Sequence, residues 1–197
     1  MAFFLGGHVD KDKLSAISRG VFSYLQSGVD RKNIFFDDRS FRYFQHRLFA
    51  AIDPASIELN AYCLMPNHFH FIVRQLTPFA LSRFMRTLCD GYVKAINKER
   101  SRSGHLFESK YKMKRIENDM YLIHLSRYIH LNPVRAGLVR LPQEWPYSSC
   151  RVYFGMREEP GISTQPVFEQ FRSSKDYQKF VEEYMPEDRR RIDELLF

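Results

Sequence analysis

The stretch IELNAYCLMPNHFHFIV, residues 57–73, decides the fold class of the chain. It is rich in β-branched and aromatic residues and is interrupted at Pro66, so it predicts two strand pieces, the second of which is HFHFIV. Successive side chains of a strand point to opposite faces of the sheet. His68 and His70 are therefore predicted to share one face, with Phe69 on the other.

The residues before this stretch predict a strand and a helix. The segment VFSYLQSGVDRKNIFF, residues 21–36, favours a strand, a turn at Gly28 and a short second extended piece. Residues 38–52 place apolar side chains at helical spacing behind an aspartate cap and end before Pro54. That pattern predicts an amphipathic helix.

The residues after position 73 predict a helix, then a strand, then a second helix. Thr77 and Pro78 suit the cap and first turn of a long amphipathic helix. In residues 105–116 lysines alternate with other residues, so the segment predicts a strand with a cationic face. Asn118 then predicts the cap of a helix that ends near Pro133.

Strands and helices alternate, but the connections are too few for a large parallel sheet. The order favours a compact α+β sandwich, in which helices pack on an antiparallel sheet. No internal repeat or low-complexity tract divides the chain. We predict a main domain over residues 1–160 and a helical extension over residues 161–197.

Length and composition indicate a soluble globular protein. The chain has 197 residues, 44% of them hydrophobic and 15% aromatic, which suffices for a hydrophobic core and excludes a disordered chain. Its apolar runs are far shorter than the ~20 residues that cross a bilayer, and its N-terminus lacks the order of a signal peptide. The 3 scattered cysteines argue against disulfides and against a cysteine zinc site. A cytoplasmic protein without a membrane partner is expected.

The positive charge of the chain is concentrated in its middle. The net charge is +7, but residues 74–115 contain 11 basic and 3 acidic side chains, and the remainder is nearly balanced. Basic residues interleaved with aromatic ones favour a surface that neutralises phosphates and stacks on bases. A solvated helix face is the alternative that charge alone leaves open.

Six of these basic residues are candidates for DNA binding. They belong to the predicted long helix and to the strand after it: Arg83, Arg86, Lys94, Lys110, Lys112 and Lys114. If about six such groups contact the phosphates of a single strand, affinity should fall with salt at a log–log slope of roughly −4, because each contact contributes ~0.7.

The histidine pair of the predicted strand HFHFIV is a candidate metal site. Because His68 and His70 share a face, both imidazoles can reach one divalent ion. Two imidazoles nevertheless leave most of the coordination sphere of a metal unfilled. The alternative is a pair of half-buried histidines with hydrogen-bond partners.

The helix that ends in YIHLNP offers a further ligand and a nucleophile. Tyr128 and Asn132 are four residues apart, so they lie on one helical face beside the apolar stripe. If that face packs against the histidine strand, Asn132 completes a three-ligand site, and its amide oxygen favours Mg²⁺ or Mn²⁺. The metal would assist Tyr128, because a protonated tyrosine, with a pKa near ~10, is a poor nucleophile. Otherwise Tyr128 is an ordinary tyrosine at the edge of the core.

Four ordered motifs resemble those of the single-tyrosine HUH transposases. They are LMPNHFHFIV, FESKY, RYIHLNPVRAGLV and EWPYSS. The wider pattern, from about Val21 to Gly155, is similar to the REP-associated tyrosine transposases of the IS200-like superfamily. The resemblance implies a ferredoxin-like or RRM-like antiparallel sheet, with the histidine pair on a central strand and Tyr128 on a neighbouring helix.

The resemblance also implies an activity and a partner. His68, His70 and Asn132 would bind Mg²⁺ or Mn²⁺, and Tyr128 would cleave single-stranded DNA near REP-like or element-end hairpins. The products would be a 5′-phosphotyrosine and a free 3′-OH, which can later rejoin the strand. Such enzymes act as monomers or homodimers, in the prokaryotic cytoplasm at the nucleoid. His130 departs from the acidic residue that is frequent at its position, which leaves the details of hairpin recognition open.

Other nucleophiles and other functions are compatible with the sequence. Tyr121 lies seven residues before Tyr128 on nearly the same helical face, and Tyr111 lies in the cationic strand. A nucleic-acid-binding module that has lost its chemistry would bind hairpin DNA or RNA without Tyr128. A metal-dependent hydrolase would use His68 and His70 with water and would leave no protein adduct.

Overall fold

Four antiparallel strands form a sheet in the computed structural model, which describes residues 19–108 and 111–183. The strands are β1 (Gly20–Ser27), β2 (Ile57–Met65), β3 (His68–Gln75) and β4 (Lys112–Ile116). Their order across the sheet is β2-β3-β1-β4, and each neighbouring pair is antiparallel. The histidine pair therefore lies on a central strand, β3.

Six α-helices accompany the sheet in this part of the chain. They are α1 (Asp38–Ala50), α2 (Ala80–Glu99), α3 (Asp119–Arg135), α4 (Cys150–Tyr153), α5 (Gln165–Phe168) and α6 (Ser174–Glu182). None of these helices is long and apolar enough to span a membrane. Because α1 connects β1 to β2 and α2 connects β3 to β4, the order is that of a ferredoxin-like fold. The predicted α+β fold with an antiparallel sheet is confirmed.

The two faces of the sheet carry different layers. α1 and α2 cover one face, which we call the α1–α2 face, over an aromatic core: Phe22, Tyr24, Phe44, Phe69, Phe71, Phe84 and Tyr92. α3 covers the opposite face, the α3 face, through the apolar stripe that its sequence predicts: Leu122, Leu125 and Ile129. Asn118 caps α3 by accepting a hydrogen bond from the backbone nitrogen of Tyr121 at 2.7 Å, also as predicted.

The chain after α3 returns along the free side of β2. Cys63 forms a bridge to Ser148, and Leu59 forms a parallel bridge to Ile162. These contacts cover one edge of the sheet with backbone from both sides of the predicted domain boundary. The division at residue 160 stays a prediction, and the last residues of the extension lie outside the described part of the chain.

The prediction of a second extended piece before α1 was wrong. A 3-10 turn over Val29–Arg31 follows β1 instead, in which the φ angles of Asp30 and Arg31 are 54° and 56°. The backbone nitrogens of Ile34 and Phe35 both donate to the carbonyl of Pro66, at 2.8 and 2.9 Å. The segment therefore bonds to the turn between β2 and β3, which prevents it from pairing as a strand.

Two predicted element boundaries also shift. α2 begins at Ala80 rather than at Thr77 and Pro78, because Phe79 adopts a left-handed φ of 60° and is the N-cap. The side-chain oxygen of Gln75 accepts from the backbone nitrogen of Leu81 at 2.9 Å and so satisfies one of the first amides of the helix. The strand predicted over residues 105–116 shortens to β4. Before β4, the described residues 105–108 contribute only the bridge from Phe107 to Gly28.

Candidate active site

The turn between β2 and β3 places the histidine pair on the α3 face of the sheet. His70 lies opposite Cys63 of β2 and Leu25 of β1 in the strand register. Because side chains alternate along a strand, His68 and His70 both point towards α3, and Phe69 points into the core of the α1–α2 face. The structure therefore gives the histidines the shared face that the sequence predicts.

The two imidazoles are close together and neutral near pH 7. Their ring centroids are 5.0 Å apart, and the rings are nearly perpendicular, at 86°. Burial, and to a lesser extent the charge of Arg31, lowers the pKa of His68 to about 4. Burial, and to a lesser extent His68, lowers the pKa of His70 well below its usual value. Neutral imidazole is the form that binds metal ions.

Tyr128 of α3 approaches the histidine pair from the facing helix. Its ring centroid lies 5.7 Å from that of His70, and the two rings are nearly perpendicular, at 86°. Tyr128 is half-buried at the margin of the core on the α3 face. The packing of α3 on the sheet thus makes neighbours of two residues that are far apart in the sequence.

Asn132 lies one helical turn after Tyr128. Its amide nitrogen donates to the backbone carbonyl of Tyr128 at 3.3 Å, which leaves the amide oxygen as the atom suited to a cation. Pro133 follows within the last turn of α3. The structure places Tyr128 next to His70, and it places Asn132 next to Tyr128.

The donor set suits a divalent metal ion. Within residues 19–108 and 111–183, no group of three or more His, Cys, Asp or Glu side chains could hold a metal ion. Imidazoles with centroids 5.0 Å apart can bind one ion, since metal–nitrogen bonds are about 2.1 Å long. His68, His70 and Asn132 are the residues that would hold the ion, and their two nitrogens and one amide oxygen are compatible with Mn²⁺ or Mg²⁺.

Two arginines that the sequence patterns did not identify add positive charge to the site. The guanidinium carbon of Arg135 lies 4.8 Å from the ring centroid of Tyr128, in a cation–π contact. Arg31 lies near enough to His68 for its charge to affect that imidazole. The seven-residue spacing from Tyr128, two turns along α3, is a signal that could have found Arg135. Arg31 belongs to a loop that offers no such signal.

The geometry separates Tyr128 from the two rival tyrosines. Tyr111 stacks on Tyr24 with ring centroids 4.7 Å apart, so it belongs to the α1–α2 face. Tyr121 lies on α3 with its ring 5.5 Å from the Lys114 ammonium of β4, and burial is the main cause that raises its pKa to about 12. Of the three tyrosines, Tyr128 is the one that adjoins the histidine pair.

The structure divides the predicted DNA-binding residues between the two faces. Lys112 and Lys114 of β4 pair with β1 residues that face α3, so these lysines lie on the same side of the sheet as the histidines. The second group consists of exposed residues of α2, on the opposite side of the sheet: Arg83, Arg86 and Lys94. Lys110 lies outside the described residues.

A buried hydrogen-bond chain fixes the side of α3 that faces away from the solvent. Nδ1 of His130 lies 2.8 Å from the hydroxyl of Tyr177, and Nε2 lies 2.8 Å from the hydroxyl of Ser149. Tyr177 donates to the hydroxyl of Ser126 at 3.0 Å, which itself donates to the carbonyl of Ile123 at 2.8 Å. The Tyr177 hydroxyl has one hydrogen, which it donates to Ser126, so it accepts from Nδ1 of His130. Nε2 of the neutral ring is then the acceptor for the hydroxyl of Ser149, which also lies 3.3 Å from the carbonyl of Tyr62. Burial lowers the pKa of His130 to about 3.

The region that contains this site matches a family of known proteins. The profile of the family described as IS200-like transposase matches residues 28–132, which is more than half of the chain and includes both histidines, Tyr128 and Asn132. A curated protein of Haemophilus influenzae (strain Rd), whose name assigns it to the REP-associated tyrosine transposases, is 27% identical over 104 residues. That match covers 47% of this chain and 58% of the relative, so it spans less than two thirds of the relative's length.

Two solved structures match this chain to different degrees. A REP-associated tyrosine transposase bound to a REP hairpin gives a TM-score of 0.61 at 17% identity and covers 75% of this chain and 93% of that one. A Deinococcus radiodurans protein described as a transposase gives a TM-score of 0.42 at 13% identity, over 66% of this chain and 95% of that one. The first of these shows a shared fold. With the profile match over residues 28–132, it follows that the chain belongs to the IS200-like transposase family.

Proposed function

We propose that the protein is a metal-dependent endonuclease and strand transferase for single-stranded DNA, which forms a 5′-phosphotyrosine intermediate through Tyr128 at hairpin-associated sites. The observation that carries the proposal is the 5.7 Å separation between the rings of His70 and Tyr128. Membership of a transposase family supports DNA as the substrate. The likeness to a REP-associated tyrosine transposase bound to a REP hairpin supports a hairpin beside the cleavage site.

Tyr128 is the nucleophile of the proposed reaction. Its phenolic oxygen loses its proton to solvent and attacks the scissile phosphorus, so that a P–O bond to Tyr128 forms and the bond from phosphorus to the 3′ oxygen breaks. The departing 3′ oxygen takes up a proton and becomes a free 3′-OH. A 3′-OH can later attack the phosphotyrosine and release Tyr128. Rejoining needs no external energy source, because the covalent link keeps the energy of the phosphodiester.

The residues around Tyr128 supply binding and orientation. His68, His70 and Asn132 would hold Mg²⁺ or Mn²⁺ beside the phenol. When bound, the ion would supply positive charge to the scissile phosphate and help to orient it for attack. Arg135 contacts the phenol ring at 4.8 Å and thereby restricts its orientation. Arg31 adds positive charge near His68, where it would attract the DNA phosphates.

The two lysines of β4 extend the positive surface away from the site. Lys112 and Leu25 are paired, and Leu25 is paired with His70, so the lysine lies two strand spacings from the histidine. At ~4.8 Å per strand that is about 10 Å, a distance that two nucleotides can span. Lys112 and Lys114 are accordingly proposed to bind the strand next to the scissile phosphate. Contacts of the α2 cations and of Lys110 with DNA stay predictions.

A single chain contains all the residues that the proposed reaction requires. The contact between His70 and Tyr128 is formed within one chain, between its own β3 and its own α3. We therefore propose that the active unit is a monomer, although the family also includes homodimeric enzymes. A swapped α3 would place Tyr128 beside the histidines of a second chain.

A covalent-adduct assay tests the proposal. A hairpin-containing single-stranded oligonucleotide is labelled at its 3′ end, because the downstream fragment is the one that stays attached to Tyr128. We expect a labelled protein band that survives denaturation in the presence of Mn²⁺ or Mg²⁺. It should be absent with EDTA and with Tyr128→Phe, and it should be retained by Tyr121→Phe and Tyr111→Phe, which are the matched controls.

Two other outcomes would contradict the proposal and identify the alternatives. Cleavage that survives Tyr128→Phe and leaves no adduct would indicate a hydrolase that uses water. A mobility shift in native gels without cleavage, equal in the wild type and Tyr128→Phe, would indicate a binding module.

A further inference from the structure

Asn67 connects the loop before α1 to the first histidine of the pair. It is the second residue of the two-residue turn between β2 and β3 and directly precedes His68. Its amide nitrogen donates to the backbone carbonyl of Arg31 at 3.2 Å, and its amide oxygen lies 2.7 Å from Nδ1 of His68. One side chain therefore bridges two segments of the site.

The carbonyl of Arg31 determines the orientation of this amide. A carbonyl oxygen can only accept hydrogen bonds, so the NH₂ group of Asn67 must face Arg31 and the oxygen must face His68. The oxygen of an amide also only accepts, so Nδ1 of His68 must carry the hydrogen. In a neutral imidazole with Nδ1 protonated, the lone pair is on Nε2.

The backbone around Asn67 keeps this arrangement in place. The backbone nitrogen of Gly28 donates to the carbonyl of Asn67 at 2.9 Å, and the nitrogen of Ile34 donates to the carbonyl of Pro66 at 2.8 Å. The loop and the turn are thus bonded through main chain as well as through the Asn67 amide. Arg31 has a left-handed φ of 56°, and its carbonyl is directed at the turn.

We propose that Asn67 is a positioning residue, which selects the Nδ1–H tautomer of His68 and thereby presents Nε2 to the divalent metal. The metal-binding half of this inference rests on the proposed function, whereas the tautomer half applies to the protein without metal. Groups that hydrogen-bond to the free nitrogen of a ligating histidine typically change metal affinity by 10- to 100-fold. Asn67 would therefore act on binding through His68, without touching the ion or the DNA.

Two substitutions at position 67 distinguish the role of the amide oxygen, which accepts from His68, from that of the amide nitrogen, which donates to Arg31. Asn67→Ala removes both hydrogen bonds. Asn67→Asp keeps an acceptor beside Nδ1 of His68 and loses the donor to Arg31. This conservative variant should therefore keep the Nδ1–H tautomer of His68 and most of the metal affinity. Asn33→Ala, which alters an exposed asparagine of the same loop, is the matched control. Circular dichroism spectra establish that each variant is folded.

The test uses two readouts on the full chain. Long-range ¹H–¹⁵N correlation spectra of the metal-free protein at pH 8 report which nitrogen of His68 is protonated. We expect Nδ1–H in the wild type, Asn33→Ala and Asn67→Asp, and a mixture of tautomers in Asn67→Ala. Titration with Mn²⁺, followed by electron paramagnetic resonance, should show about 10- to 100-fold weaker binding for Asn67→Ala and no more than about 3-fold weaker binding for Asn67→Asp.

Each contrary result has a defined meaning. An Nε2–H tautomer of His68 in the wild type would overturn the inference, as would an Asn67→Ala variant that retains Nδ1–H and binds Mn²⁺ as the wild type does. Wild-type protein that binds no Mn²⁺ but has the Nδ1–H tautomer would contradict the proposed nuclease function and the metal-binding half of the inference. The spectra would still establish the role of Asn67 in orienting His68.

Discussion

Nδ1 of His130 lies 2.8 Å from the hydroxyl oxygen of Tyr177, and this contact joins α3 to the C-terminal helix α6. Both residues are fully buried. The helix that carries Tyr128 and Asn132 is therefore supported by a segment that follows it by some forty residues. The orientation of Tyr128 towards the sheet depends on this support as well as on the apolar stripe of α3.

Removing the Tyr177 hydroxyl is expected to destabilise the protein. Tyr177→Phe leaves Nδ1 of His130 without its acceptor and the hydroxyl of Ser126 without its donor, inside the core. A buried polar group that loses its partner costs about 1–3 kcal/mol, so the free energy of unfolding in urea should fall by about that amount. Tyr43→Phe, at a partly exposed position on α1, should change it by no more than about 0.5 kcal/mol. Equal decreases in the free energy of unfolding for the two variants would refute the structural role of the hydrogen bonds between Tyr177, His130 and Ser126.

Stability should decrease when the pH falls below about 6.5. Burial lowers the pKa of His130 to about 3, and burial with the charge of Arg31 lowers that of His68 to about 4, whereas a histidine in the unfolded chain has a pKa near 6.5. The unfolded chain therefore binds more protons between these values. The stabilisation is complete above pH 6.5 and is lost as the pH falls towards 3, at up to about 1.4 kcal/mol per pH unit for each histidine.

Urea unfolding in EDTA between pH 7.5 and 4.5 measures this dependence. His130→Gln removes one of the contributing histidines, so its free energy of unfolding should depend on pH less steeply, by about one proton. A slope identical to that of the wild type would show that His130 does not titrate as its burial predicts.

Mixed chains should not complement each other in the adduct assay. Because His70 and Tyr128 meet within one chain, a mixture of Tyr128→Phe and His70→Ala contains no complete site, and no adduct should form above that of either variant. Mixtures of the wild type with each variant show whether a variant chain inhibits adduct formation by the wild type. Recovery of the adduct in the mixed sample would indicate that α3 is exchanged between two chains.

The two groups of cations can be compared for their effect on single-strand binding. Lys112→Gln with Lys114→Gln removes two charges on the side of the histidines, and we expect the log–log salt slope for a strand without a hairpin to decrease by about 1.4. Arg83→Gln with Arg86→Gln removes the same charge from α2 on the opposite side. A strand that follows only the side of the histidines would leave that slope unchanged, whereas the α2 contacts predicted from the sequence would lower it by the same amount. The comparison is made by fluorescence anisotropy at several salt concentrations. Equal effects of both pairs would mean that the strand also contacts the α1–α2 face.

The parts of the fold that depend on neighbours in the sequence could be predicted. The alternation of side chains along β3 and the apolar stripe of α3 are local patterns. Both assign side chains to a face of their own element without knowledge of the element that packs against it. Asn118 was identifiable as a cap for the same reason. The relation between Tyr128 and His70 followed only with the resemblance to a family, because spacing alone does not show which sheet face a helix covers.

The parts that depend on contacts distant in the sequence could not be predicted. The side chain of Gln75 accepts from the first turn of α2, at Leu81, through a contact that no local pattern indicates. The pairing of His130 with Tyr177 spans 47 positions. The side of the sheet on which Arg83 lies could not be predicted either, since the charge of a helix does not show which face of the sheet the helix covers; its contact with DNA stays a prediction.

The position of β4 has a consequence for solubility. β2, at one edge of the sheet, is covered by returning backbone at Ser148 and Ile162, whereas β4 forms the other edge and carries Lys112 and Lys114. Uncovered edge strands can recruit further chains into intermolecular β-structure, and lysines on such strands discourage this. We expect the same two ammonium groups that are proposed to bind the DNA strand also to protect the protein from self-aggregation, so their neutralisation should favour precipitation as well as weaken DNA binding.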